Sequence, residues 1–266
     1  YTFGNTNLPY LFLAQSGVNA GDVYLRRGQV TLGRPQIIAP RSSVELEKIQ
    51  VAAYYQSAKE VGGDYYDFLW VNNKTLGLAV ADVSGKGVPG SLVMVMTRSI
   101  LRSQANRTDA GETLKNTNAL LYKDIKRGMF VTVFYALLDV QKRTLNCANA
   151  GHNPIIVAHA NGKVELSNPA GIALGLDKGT RFNAKMQTTN LSLKSGDVFI
   201  LYTDGVTEAM NPQEEEFGEE RLAEVLARNV GKHAQEISDA IINELMEFTS
   251  GAPQHDDITL LTMKME

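Results

Sequence analysis

Five aspartates stand where apolar runs of the sequence begin or break off. Asp82 closes "LGLAVAD", Asp204 closes "VFILYTD" just ahead of Gly205, and Asp256 and Asp257 open the last run, "DDITLL". Asp64 follows two glycines in "EVGGDYYDF", at the end of a strand that begins near Val51. A carboxylate at the end of a buried strand is costly to desolvate unless positive charge offsets it. Taken singly, each of these residues reads as a turn residue or helix cap. Taken together they resist that reading, because no matching set of lysines or arginines sits at the same strand ends. Hard divalent cations prefer oxygen ligands, so several aspartates with backbone carbonyls and water describe an Mg²⁺ or Mn²⁺ site. Zinc is disfavoured: Cys147 is alone, and His152, His159, His233 and His255 show no ligand spacing.

The loop after Asp82 offers a competing chemistry. "ADVSGKGVPGS" contains Gly85-x-Gly87-x-x-Gly90, the dinucleotide fingerprint. That motif needs a second strand after its helix, with an acid about twenty residues on. Asp109 lies near that distance, but in the polar segment "NRTDAG" between two helical patterns. A phosphate loop of the Walker type also fails, because Lys86 is followed by Gly87 where Ser or Thr is required.

The elements that must position these residues follow from the hydrophobic pattern. Residues 1–42 carry short apolar stretches cut by Gly, Asn and Pro, and read as short strands or irregular chain. "VELEKIQVAAYYQ" alternates as a half-buried strand, and "TLGLAVADV" is apolar enough to be buried on both faces. "PGSLVMVMTRSILRSQA" and "AGETLKNTNALLYKDIKR" have helical spacing, the first with Pro89 at its start. "MFVTVFYALLDV", "TLNCANAG", "PIIVAHA" and "KVELS" are strands, the last two joined through Asn161-Gly162, a hairpin signal. "GDVFILYTDGV" is a further buried strand. Two helices, "GEERLAEVLARNV" and "HAQEISDAIINELMEFT", precede the final strand "DITLLTMKM". Antiparallel strands interleaved with pairs of helices predict a layered α+β sandwich and not a doubly wound parallel sheet.

Composition narrows the partners. The chain has 266 residues, 44% hydrophobic and 21% charged, with a net charge of −3. That balance is ordinary for a globular protein and argues against an electrostatic grip on nucleic acid or an anionic membrane. No apolar run reaches the 18 or so residues of a spanning helix, so no membrane insertion is expected. One cysteine forbids an intrachain disulfide and fits a reducing, cytoplasmic location.

Seven segments, "EVGGDYYDF", "VADVSGKGVPGSL", "FVTVFYALLD", "ANAGHNP", "LYTDGVTEAMN", "FGEERL" and "HDDITLL", occur in an order and spacing that resembles the PPM (PP2C-like) metal-dependent serine phosphatases. The branch is the bacterial sporulation and stress-response one (SpoIIE/RsbU-like), and the likeness runs from Glu45 to Glu266. It implies a phosphatase domain at 43–266, with 1–42 an extension or linker, and an α-β-β-α sandwich of two antiparallel sheets flanked by helices. It also implies two Mn²⁺ or Mg²⁺ ions, with Asp64 as the first acidic ligand, Asp82 bridging the two metals and Val83 giving a carbonyl. Asp204 and Asp256 complete that catalytic set, Asp257 orients its neighbour, and the glycines after Asp82 turn the chain away from the metals.

By the same resemblance, a metal-activated water hydrolyses phosphoserine or phosphothreonine on a regulatory protein. The expected partner is a phosphorylated anti-sigma-factor antagonist of the STAS fold. A homodimer is admitted, although "GRPQIIAP" replaces the "LLP" helix that many relatives carry. After "EAMN" relatives usually have glycine where this chain has "PQEEE", making the "NPQEEEFGEE" loop acidic. No phosphate-binding arginine stands between Val51 and Asp64, leaving the substrate phosphate mainly to the metals. His152 and His255 each read either as structural turn residues or as groups that position a loop or leaving group. The rival from another class is a catalytically silent binding module of the same fold, which is expected to have lost an acid; all four are present.

Overall fold

The computed structural model describes residues 48–59, 62–85, 87–105 and 108–266, together with the backbone of two short strands, β1 (Val23–Arg26) and β2 (Gln29–Leu32). Most of the 1–42 segment and the start of "VELEKIQVAAYYQ" lie outside the described residues. Two antiparallel sheets face each other. The larger has seven strands in the order β1-β2-β3-β12-β11-β8-β9. Beyond β1 and β2 it comprises β3 (Ile49–Gln56), β8 (Ile155–Ala158), β9 (Val164–Ser167), β11 (Val198–Tyr202) and β12 (Ile258–Met265). The smaller has five, in the order β10-β7-β6-β5-β4. These are β4 (Tyr65–Trp70), β5 (Thr75–Val83), β6 (Val131–Asp139), β7 (Thr144–Ala150) and β10 (Thr188–Ser192).

Helices α1 (Val88–Gln104) and α2 (Ala110–Asp124) cover the outer face of the smaller sheet, and α5 (Gly218–Asn229) and α6 (Ala234–Thr249) that of the larger. Two short helices, α3 (Thr180–Lys185) and α4 (Asp204–Thr207), lie in connections. The α+β sandwich expected from the pattern is the observed architecture. Among the described residues no helix is long and apolar enough to cross a membrane.

Strand alternation divides the apolar residues among three layers. Leu76, Leu78 and Val80 of β5 and Phe134, Ala136 and Leu138 of β6 point between the sheets, where they meet Phe199 and Leu201 of β11 and Leu261 and Met263 of β12. The alternate residues Ala79, Ala81 and Val83 face α1 and α2. Val198, Ile200 and Leu260 face α5 and α6. This double burial is why "TLGLAVADV" is almost wholly apolar.

Asp109 has a local role that disposes of the dinucleotide reading. Its carboxylate accepts the Glu112 amide and caps α2, and among the described residues no strand separates α1 from α2. Asp67, the second acid of "GGDYYDF", is structural as well. It is buried on the outer face of β4, where it accepts the Tyr65 hydroxyl at 2.6 Å and the Arg102 guanidinium at 2.6 and 3.2 Å, fastening α1 to the sheet.

Candidate metal centre between the sheets

The alternation that builds the inter-sheet core also builds the site. Continuing the inward positions to one end of the strands gives Asp82 after Val80, Thr132 before Phe134, Thr203 after Leu201, and Thr259 and Asp257 before Leu261. Asp64 holds the same parity ahead of Tyr66 in β4. The apolar seam therefore ends in a polar cap drawn from both sheets. Pairing confirms the alignment on the smaller sheet, where Asp82 sits opposite Thr132.

The cap is closely hydrogen-bonded. Asp64 is 2% exposed, and its Oδ2 accepts the hydroxyls of Thr203 at 2.7 Å and Thr259 at 2.5 Å. Burial pushes its carboxyl well above the usual range, and the charges of Asp82 and Asp257 push it further, against the lowering effect of the two threonines. Asp257 accepts the amides of Ala58 at 2.8 Å, Gly63 at 2.7 Å and, more distantly, Asp64 at 3.4 Å. It thus orients the segment that carries Asp64, whereas the expectation was that it orients Asp256. Asp256 for its part accepts the Asp257 amide at 2.9 Å. The glycine pair before Asp64 is a matter of space: a Cβ on Gly62 would lie 2.0 Å from the Tyr55 hydroxyl and 2.4 Å from the Asp257 carboxylate.

Asp82, Val83, Asp256 and Asp257 line one cleft, together with Ser84, Gly85 and Gly63. Asp64 lies behind it. Asp204 is not in the cleft wall; it opens α4, two residues past the end of β11. Its neighbour Gly205 packs so tightly on the Asp257 carbonyl that a Cβ there would be 2.0 Å from the oxygen, which brings the "DG" and "DD" segments together. Among the described residues no three His, Cys, Asp or Glu side chains have the spacing of a metal site. Asp82, Asp256 and Asp257 nonetheless share the one cleft.

One sequence reading is corrected here. Asp64 does not end the strand that starts near Val51; β3 stops at Gln56, and Asp64 immediately precedes β4, a strand the pattern did not disclose. Lys59, an exposed residue, lines the same cleft as Asp82 and Asp256. It is five residues ahead of Asp64.

The glycine loop is tightly packed. A Cβ on Gly90 would meet the Gly85 carbonyl at 2.1 Å, so the first turn of α1 packs directly on the loop leaving Asp82. His152, in "AGHNP", is also accounted for. Asn149 accepts the His152 amide at 2.6 Å and donates to its carbonyl at 2.8 Å. The clamped ring is buried, with Nδ1 2.9 Å from the Thr132 hydroxyl, opposite Asp82. Its far side faces the backbone of Tyr202, although Nε2 makes no well-formed hydrogen bond. His152 is a strut between the sheets, and His255 is exposed on the loop before Asp256.

A family model described as stage II sporulation protein E (SpoIIE) matches residues 72–266. The chain is 29% identical to Protein IcfG of Synechocystis sp. over 256 residues, covering 86% of this chain and 40% of that protein. It is 29% identical to phosphoserine phosphatase RsbU of Bacillus subtilis over 221 residues, covering 82% of this chain and 64% of RsbU. It thus spans less than two thirds of either relative. Its fold matches the SiaA-PP2C domain of Pseudomonas aeruginosa with a TM-score of 0.72 at 23% identity, covering 81% of this chain and 86% of that one.

Proposed function

Because the chain belongs to the SpoIIE family, we propose that it is a divalent-metal-dependent protein serine/threonine phosphatase. We assign its phosphatase domain to 43–266 and an extension, whose β1–β2 hairpin adds to the larger sheet, to 1–42. The observation that carries the activity is the polar cap of the seam, where acids from both sheets meet at one open cleft. Asp82, Val83 and Asp256 are the ligands this cleft offers to Mn²⁺ or Mg²⁺, with Asp64 behind them and Asp204 at the adjoining turn. Carboxylates and a carbonyl are donors for hard cations, and nothing soft is present. Two such ions, when bound, supply an activated water and offset the charge of a phosphoryl group.

The protein's own groups do the rest. Asp257 and the threonine hydroxyls of Thr203 and Thr259 fix the Asp64 segment. Lys59, at the cleft wall, orients the substrate phosphate, a role the sequence had left to the metals. Ser84 and Cys147 take no part; the Cys147 thiol is buried and pushed well above its ordinary range. The substrate is a phosphoserine or phosphothreonine on a regulatory protein, for which a STAS-type anti-sigma-factor antagonist is the reading supported by the sporulation and stress-response relatives. The test is phosphate release from a phosphoserine peptide and from p-nitrophenyl phosphate with Mn²⁺, Mg²⁺ or EDTA. Turnover with added metal and none after chelation is expected; full turnover after exhaustive chelation would exclude the site.

A further inference from the structure

A second depression opens next to the cleft and shares Asp256 with it. Its floor is apolar, formed by the buried Leu245 and Ile258, and its sides include Met210, Met246 and Pro253. Met246 is 36% exposed, on the last turns of α6. Methionine pairs of this kind adapt to apolar side chains of varied shape. Part of the polar wall is already engaged: Gln56 and Gln254 bond each other, and Gln254 also donates to the carbonyls of Gln56 and Asp256. The space amounts to about 270 Å³, below the roughly 300–1,000 Å³ of small-molecule sites. That suits one large side chain better than a metabolite.

The rim is acidic and ordered. Glu208 is exposed at the edge, and Met210 pairs with Glu216 across a tight turn that presents Glu214 and Glu215 to solvent. Asn211 holds that turn, its side chain accepting the amides of Gln213 and Glu215 at 2.9 Å. An extended chain advances about 3.3–3.6 Å per residue. A phosphoserine in the cleft therefore sets its near neighbours over this groove.

Resting on the phosphatase reading, we infer that the groove of Met210, Leu245, Met246 and Ile258 is a specificity site for the substrate protein. Its occupant is an apolar side chain a few residues from the phosphoserine, followed by a basic residue that meets the Glu214–Glu216 turn. Charge complementarity at the rim selects the partner, and the metals supply only generic phosphate chemistry.

The test uses phosphoserine peptides in which a single leucine is moved stepwise along the flanks of an otherwise polar sequence, with or without a lysine beyond it. At one leucine position kcat/KM should exceed the leucine-free peptide by about tenfold. Met246→Asp, with Met210→Gln as a second variant, should erase that advantage while p-nitrophenyl phosphate turnover is unchanged. Replacing Glu214, Glu215 and Glu216 by Gln should erase the advantage of lysine alone. A wild-type enzyme that hydrolyses p-nitrophenyl phosphate but is indifferent to leucine position would overturn the inference. So would a leucine advantage that survives both methionine substitutions. Absence of any turnover with Mn²⁺ would instead defeat the phosphatase reading. Fluorescence anisotropy of the same peptides then decides the groove by itself: a leucine preference lost in Met246→Asp upholds it, and no preference refutes it.

Discussion

The carboxylate of Asp257 accepts the backbone amide of Gly63 at 2.7 Å, joining two segments 194 positions apart in the sequence. This bond, with its companions to Ala58 and Asp64, sets the position of the first acidic motif relative to the last. In Asp257→Asn one oxygen becomes an NH₂ group that faces backbone donors. The expected loss is ~2 kcal/mol of stability, with faster hydrogen exchange at Gly63. An unchanged urea midpoint and unchanged exchange would show that the loop is held by other means.

Asp82→Asn should abolish turnover while the protein stays folded, because an amide cannot carry the bridging charge assigned to Asp82. Removing a charge that also raises the Asp64 carboxyl should leave the metal-free protein equally stable or more so. A variant retaining over about a tenth of the wild-type rate, a barrier change below ~1.4 kcal/mol, counts against the bridging role.

His152 gives the fold a pH dependence of predictable sign. Burial lowers its pKa from 6.5 to about 4, so the unfolded chain gains a proton in a range where the folded one does not. Stability should therefore fall as pH drops from about 6.5 to about 4, by up to ~3 kcal/mol from this group. Urea midpoints at pH 7 and pH 5 for wild type and His152→Gln provide the check. The variant should show the smaller drop; equal drops would mean that the ring titrates freely.

Glu214 sits at φ 62° in the acidic turn, a left-handed conformation that favours glycine. Glu214→Gly should raise stability by about 0.5–1 kcal/mol, measured by urea unfolding, with p-nitrophenyl phosphate turnover unchanged. A lower midpoint would mean that the carboxylate, and not the backbone, holds the turn.

Much of this was legible because inward-facing residues keep their parity to the end of each strand. The strands around Asp82 and after Asp257 were long and apolar enough to locate, and their acids came with them. β4 escaped because "YYDFLW" is short and carries the buried Asp67, whose partner Arg102 lies on another element. β10 escaped because it is a partly exposed edge strand, "TTNLS", with little apolar signal. Lys59 was missed because its relation to Asp82 and Asp256 exists only across space. The strut made by His152 was equally hidden, since Thr132 looks like any strand threonine until its register opposite Asp82 is known.

The pairing of β3 with β12 has a bearing on how the chain is made. Ile49 lies opposite Met265 and Gln56 opposite Ile258, in the interior of the larger sheet. The smaller sheet can assemble β4, β5, β6 and β7 from neighbouring segments as they emerge. The larger one must wait for residues more than two hundred positions downstream of β3, a connection of high contact order. Until then only β8 and β11 are at hand to cover the inner face of the smaller sheet, and β3 has an unpaired flank open to aggregation. The acidic cleft is among the last features to form on the growing polypeptide, and a chain cut short of β12 never acquires it.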